Sequence, residues 1–168
     1  MIVSEFRQLT AHYELLIVDL WGVIHDGSEA YPNILETIEY LNQKNKRIVF
    51  LSNAPRRAAE TKKLLDHLGI SDDKYTKLLT SGEIAFNYLA ELGRREGAKK
   101  YIFIGPERDL EVMSGAGHLR VNNCNEADFI VATGYELGES EDVKDEQLQD
   151  ASDAGLFMYC FNPSVKSL

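Results

Sequence analysis

Apolar positions along the chain alternate between two rhythms. "LLIVDL" (15–20) is a short run rich in β-forming residues, and in "NILETIEYLNQKN" (33–45) the apolar residues Ile34, Ile38 and Leu41 fall on one helical face. The pair then repeats: "RIVFLSN" (47–53) reads as a buried strand, and "RRAAETKKLLDHLGI" (56–70) as a helix closed by Gly69. A helix is predicted over 81–97, a third strand over 100–105 and a fourth over 127–134. Alternation of this length predicts an α/β fold in which residues from about 13 to 135 form one parallel sheet with helices on its faces.

The rhythm changes beyond Tyr135. "ELGESEDVKDEQLQDASDAG" is strongly acidic and reads as a linker followed by a solvated helix, and it lacks the carboxylate spacing of a calcium loop. The last segment, "LFMYCFNPSVKSL", reads as another strand ending in an Asn-Pro turn.

Composition narrows the range of functions. The chain has 168 residues, 44% of them hydrophobic and 27% charged, which is the make-up of a globular protein. Its net charge of −9 repels nucleic acid and anionic membranes, so neither is expected as a partner. Charges at Glu5, Arg7 and Glu14 interrupt the first residues, leaving no leader or membrane span there, and a cytoplasmic location is expected. Cys124 and Cys160 have no CxxC spacing, so both are expected to be reduced thiols buried as small apolar groups.

In an open parallel sheet, ligands gather at the carboxyl ends of the strands. Asp19 lies at one such end, and Ser52 and Asn53 lie at the next. Taken alone, Asp19 reads better as a turn or capping residue, and "SNAPR" as a plain N-cap. Together they offer a carboxylate, a hydroxyl and exposed backbone N–H groups, a set that suits a phosphate. The Gly22 to Gly27 spacing does not make a P-loop, because no Lys follows it.

"VDLWGVIHDG" (18–27) followed by "LSNAPR" (51–56) resembles the haloacid dehalogenase superfamily, and within it the class IIA phosphatase-like hydrolases. "TSGEIAFNYL" (80–89), "YIFIGPE" (101–107) and "ADFIVATGY" (127–135) resemble further segments of that class, in the same order. The resemblance implies a Rossmann-like parallel sheet with helices on both faces and an inserted cap domain. It also implies a magnesium-dependent phosphohydrolase acting on a small phosphorylated substrate, such as a sugar phosphate, a nucleotide or 4-nitrophenyl phosphate, through an aspartyl-phosphate. Asp19 matches the nucleophile and, with the backbone carbonyl of Trp21, the magnesium site. Ser52 and Asn53 match the phosphate-binding pair, and Gly22 lets the loop bend close to the phosphate.

The chain departs from that pattern in two ways. The family usually carries a second Asp, the general acid, where this chain has Trp21, and an indole cannot transfer that proton. His25 and Asp26 are the nearest candidates for a surrogate acid. The resemblance also assigns residues 1–138 to the N-terminal part of the core and 139–168 to the start of a C2-type cap, with Ser164 in an Asn-Pro-Asp-like turn. The family's later Lys and Gly-Asp motifs have no counterpart in these residues. On this basis residues 1–168 alone are expected to turn over poorly and to self-associate through an exposed sheet edge. The alternative function is a non-catalytic phosphate-binding, regulatory or structural fragment.

Overall fold

The computed structural model describes residues 2–134 and 141–162. In the first of two compact units (1–52 and 58–79), helix α1 (Ile2–Ala11) leads into β1 (Leu15–Asp19). The chain continues through α2 (Ile34–Gln43), β2 (Arg47–Ser52), α3 (Ala58–His67) and β3 (Lys77–Thr80). The strands form one sheet of order β1-β2-β3, with β1 at its edge. β1 and β2 run parallel in the register Leu15↔Arg47 to Asp19↔Leu51.

Strand alternation sorts the apolar residues of this sheet. Ile48 and Phe50 are buried and pack in a cluster that includes Leu16 and Val18. α2 adds Ile38 and Leu41 to that cluster, and α3 adds Leu65. The alternate residues Leu15, Ile17 and Leu51 remain exposed. A cavity of about 800 Å³ lies along β1, and its lining includes Phe6, Leu9, Ile17 and Ile38, with Asp19 as its one charged residue.

The second unit holds residues 53–57 and 80–168. α4 (Ser81–Glu96) is followed by β4 (Lys100–Ile104), β5 (Leu119–Arg120), β6 (Phe129–Ala132), α5 (Glu141–Asp153) and β7 (Phe157–Cys160). The sheet order is β5-β4-β6-β7, and every pairing is parallel. One face packs Tyr101, Phe103, Phe129 and Val131 with Leu89 of α4 and Phe161. The other packs Ile102, Ile104 and Ile130 with Ala151 of α5. This sheet therefore has helices on both faces.

The parallel α/β class predicted from the sequence is what the chain adopts, but as two sheets rather than one. Identical strand-helix rhythms do not encode which strand becomes the neighbour of which, so the break was not legible. The expected 138/139 boundary falls among residues outside the described ones, as does the Ser164 turn. The flanking elements β6, α5 and β7 lie in the same compact unit. Neither cysteine is buried as expected: Cys160, at the end of an outer strand, is exposed, and Cys124 is half-buried. Among the described residues no helix is long and apolar enough to cross a membrane.

Candidate active site

Asp19 ends β1 and is exposed to solvent. Its Oδ1 accepts the N–H of Leu20 at 2.7 Å, which fixes the carboxylate at the strand end. In the parallel register Asp19 faces Leu51, so Ser52 sits one step further along the neighbouring strand. With strands spaced about 4.8 Å and a rise of about 3.3 Å per residue, the two α-carbons are about 6 Å apart. Ser52 is only 6% exposed. The two residues singled out from the sequence thus share the carboxyl end of one strand pair. Asn53 follows directly, is exposed, and opens the second compact unit.

The loop after Asp19 is anchored at both sides of Trp21. Leu20 and Ile24 are buried in the core, and the Leu20 carbonyl accepts the N–H groups of Val23, Ile24 and His25 at 3.2, 2.8 and 3.2 Å. Gly22 donates to the His25 carbonyl at 2.8 Å. A φ of +80° at Gly22 makes this turn, a conformation that favours glycine. A Cβ there would meet nothing within 4 Å, so it is the backbone angle that calls for glycine. The same anchors hold the Trp21 side chain outside the core, 68% exposed.

His25 is 4% exposed, and its Nδ1 accepts the Gly27 N–H at 2.9 Å. Burial pushes the imidazole below its ordinary pKa, against the opposing pull of the Asp26 and Asp19 charges. Asp26 is exposed, and its Oδ1 accepts the N–H and hydroxyl of Ser28 and the N–H of Glu29, at 2.9, 3.1 and 2.9 Å. The Glu29 N–H, followed by the Ser28 N–H and hydroxyl, holds this carboxyl below the usual carboxylate range. His25 and Asp26, the two candidates for a surrogate acid, are thus both hydrogen-bonded within the loop that follows Asp19.

One part of the machinery was not read from the sequence. The backbone leaving Ser52 is clamped by the start of α4, within the second unit. Thr80, fully buried, donates its hydroxyl to the Arg56 carbonyl at 2.7 Å and accepts the Glu83 N–H at 3.1 Å as the helix N-cap. Ser81 Oγ donates to the Ala54 carbonyl at 2.9 Å. A Cβ on Gly82 would lie 2.5 Å from the Pro55 carbonyl oxygen, closer than real Cβ contacts, so only glycine fits. Arg57 pairs with Glu83 at 2.7 Å and stacks over Phe86. The signal was the "TSGE" segment itself, whose small and hydroxyl residues match a loop distant in sequence.

Comparison with known proteins gives a consistent picture. A family model described as haloacid dehalogenase-like hydrolase matches residues 16–118, a span that holds both Asp19 and Ser52. The sugar-phosphatase AraL of Bacillus subtilis is 30% identical over 130 residues, covering 76% of this chain and 46% of its own. Among solved structures, a haloacid dehalogenase-like hydrolase from Brucella suis has a TM-score of 0.82 at 27% identity, over 95% of this chain and 59% of that one. The 4-nitrophenylphosphatase of Thermotoga maritima has a TM-score of 0.65 at 27% identity, over 91% of this chain and 56% of that one. The chain matches 30% to 46% of the length of the curated relatives it resembles.

Proposed function

The chain belongs to the haloacid dehalogenase-like hydrolases, and from that premise we propose that it carries the nucleophile and phosphate grip of a magnesium-dependent phosphohydrolase for small phosphate esters. The observation that carries this reading is the placement of Asp19 and Ser52 at the carboxyl ends of adjoining parallel strands, inside the matched span. The similarity to AraL and to the Thermotoga 4-nitrophenylphosphatase supports a sugar phosphate or an aryl phosphate as the substrate class.

In this mechanism the exposed carboxylate of Asp19 attacks phosphorus and forms an aspartyl-phosphate, while the ester oxygen leaves. Water then hydrolyses the acyl phosphate and regenerates Asp19. The Ser52 hydroxyl holds a phosphoryl oxygen, and Asn53 positions the group next to it. Gly22 keeps the loop close to the phosphate without a side chain in the way.

The donors offered for a metal are the Asp19 carboxylate and the Trp21 carbonyl, hard oxygens of the kind magnesium takes. Among the described residues no cluster of three or more His, Cys, Asp or Glu side chains adds to them. Water and the phosphate itself would fill the other positions. Bound there, magnesium supplies charge that offsets the repulsion between carboxylate and phosphate.

The large cavity beside β1 has apolar walls and no cation, so it does not suit a phosphate. With the unpaired edge of β1 and exposed Leu15 and Ile17, it favours self-association through that edge. The function is tested by hydrolysis of 4-nitrophenyl phosphate and of sugar phosphates, with and without magnesium. Turnover that needs magnesium and is abolished in Asp19→Asn supports it. Turnover unchanged in Asp19→Asn overturns it.

A further inference from the structure

Trp21 is the one tryptophan of the chain, and it stands 68% exposed between two buried neighbours in the loop, Leu20 and Ile24. An exposed indole on a loop this firmly hydrogen-bonded costs apolar surface that the fold does not recover. Gly27 is the loop residue that lies beside the ring. Gly27, at φ +111°, presents its open side to the indole, and a Cβ there would lie 3.4 Å from Trp21 Nε1. Trp21 lies two positions after Asp19, with only Leu20 between them, so the indole belongs to the loop that follows the proposed nucleophile. It brings a flat apolar face to that loop and no transferable proton.

We propose that Trp21 is a specificity residue that stacks on the planar leaving group of an aryl phosphate monoester. The proposal rests on the phosphohydrolase reading and names the substrate class of the same site. Two independent requirements converge on this class. A flat aromatic group is what an indole face binds best. The chemistry asks for the same group. As the Asp19 oxygen bonds to phosphorus, the bond from phosphorus to the ester oxygen breaks, and that oxygen departs with the electron pair. A phenol, with a pKa of roughly 10 as in tyrosine, leaves as phenolate without needing a proton. An alkoxide is far more basic and needs the proton that an aspartate at position 21 would give.

The test compares phenyl phosphate with glycerol phosphate, an alkyl ester. Because Trp21 is the sole tryptophan, fluorescence excited selectively at the indole reports on this residue directly. In the Asp19→Asn protein, which removes the proposed nucleophile, phenyl phosphate should change the emission and glycerol phosphate or inorganic phosphate should not. In turnover, Trp21→Leu should lower the preference for phenyl over glycerol phosphate by about 2- to 10-fold, the size of an aromatic pair contact, mainly through KM. Trp21→Phe, which keeps a ring, should retain most of the preference.

The proposal is overturned if Trp21→Leu leaves the phenyl-over-glycerol ratio unchanged, or if the two esters alter the fluorescence equally. Both esters turned over with an unchanged ratio would overturn the stacking and leave the phosphohydrolase reading standing. If neither ester is turned over, the emission alone decides the stacking. A response to phenyl phosphate only then supports aryl recognition, and equal or no responses overturn it.

Discussion

Thr80 donates its hydroxyl to the Arg56 carbonyl, 24 residues earlier in the chain, while its Oγ1 accepts the Glu83 N–H. One buried side chain thereby caps α4 and ties down the segment that leaves Ser52. Thr80→Val keeps the shape and removes both bonds. It should cost about 1–2 kcal/mol, read as a lower urea midpoint with an unchanged slope. A midpoint equal to that of the parent would show that the clamp contributes nothing.

The Asp26 carboxylate is favoured in the folded state by the N–H groups of Glu29 and Ser28 and by the Ser28 hydroxyl. Its pKa is therefore lower folded than unfolded. The stability it contributes is fully present above the unfolded value of about 3.9 and is lost as pH falls through the folded one. Urea midpoints measured from neutral pH to well below the unfolded value should fall less steeply in Asp26→Ala than in the parent. Parallel curves would remove Asp26 from the account.

Trp21→Asp places a carboxyl where the family usually has its acid. Turnover of alkyl phosphates should rise more than turnover of 4-nitrophenyl phosphate, by a factor within the ~10²–10⁴ range of general acid catalysis. A uniform loss on every substrate would instead give Trp21 a packing role.

β1 is an edge strand whose Ile17 is 66% exposed and which has no lysine or proline to discourage pairing. Ile17→Lys should shift the protein toward monomer in size-exclusion chromatography with light scattering. A parent that is already monomeric at the same concentration would refute association through this edge.

The strand ends that carry Asp19 and Ser52 were legible because each closes a continuous apolar run. The parallel register then did what an open α/β sheet does and set the two ends side by side. β3 was not legible: Lys77–Thr80 has two apolar residues and runs directly into a helix, too few for any period to register. α1 was not legible either: Phe6 and Leu9 have helical spacing, but the segment has no N-cap or closing glycine to mark it as a helix. The clamp from Thr80 and Gly82 depends on contacts with a distant loop, and no local pattern announces such contacts. That Trp21 points to solvent while Leu20 and Ile24 fill the core follows from the turn at Gly22, a matter of backbone angle rather than residue type.

The central claim is that Asp19 is the phosphoryl acceptor. Rapid acid quench during turnover of 4-nitrophenyl phosphate, followed by peptide mass spectrometry, tests it most directly. The account predicts a phosphoryl group on the peptide containing Asp19, sensitive to hydroxylamine as an acyl phosphate is, and absent in Asp19→Asn. Steady turnover with the phosphoryl group on another residue, or with full activity retained in Asp19→Asn, would contradict it.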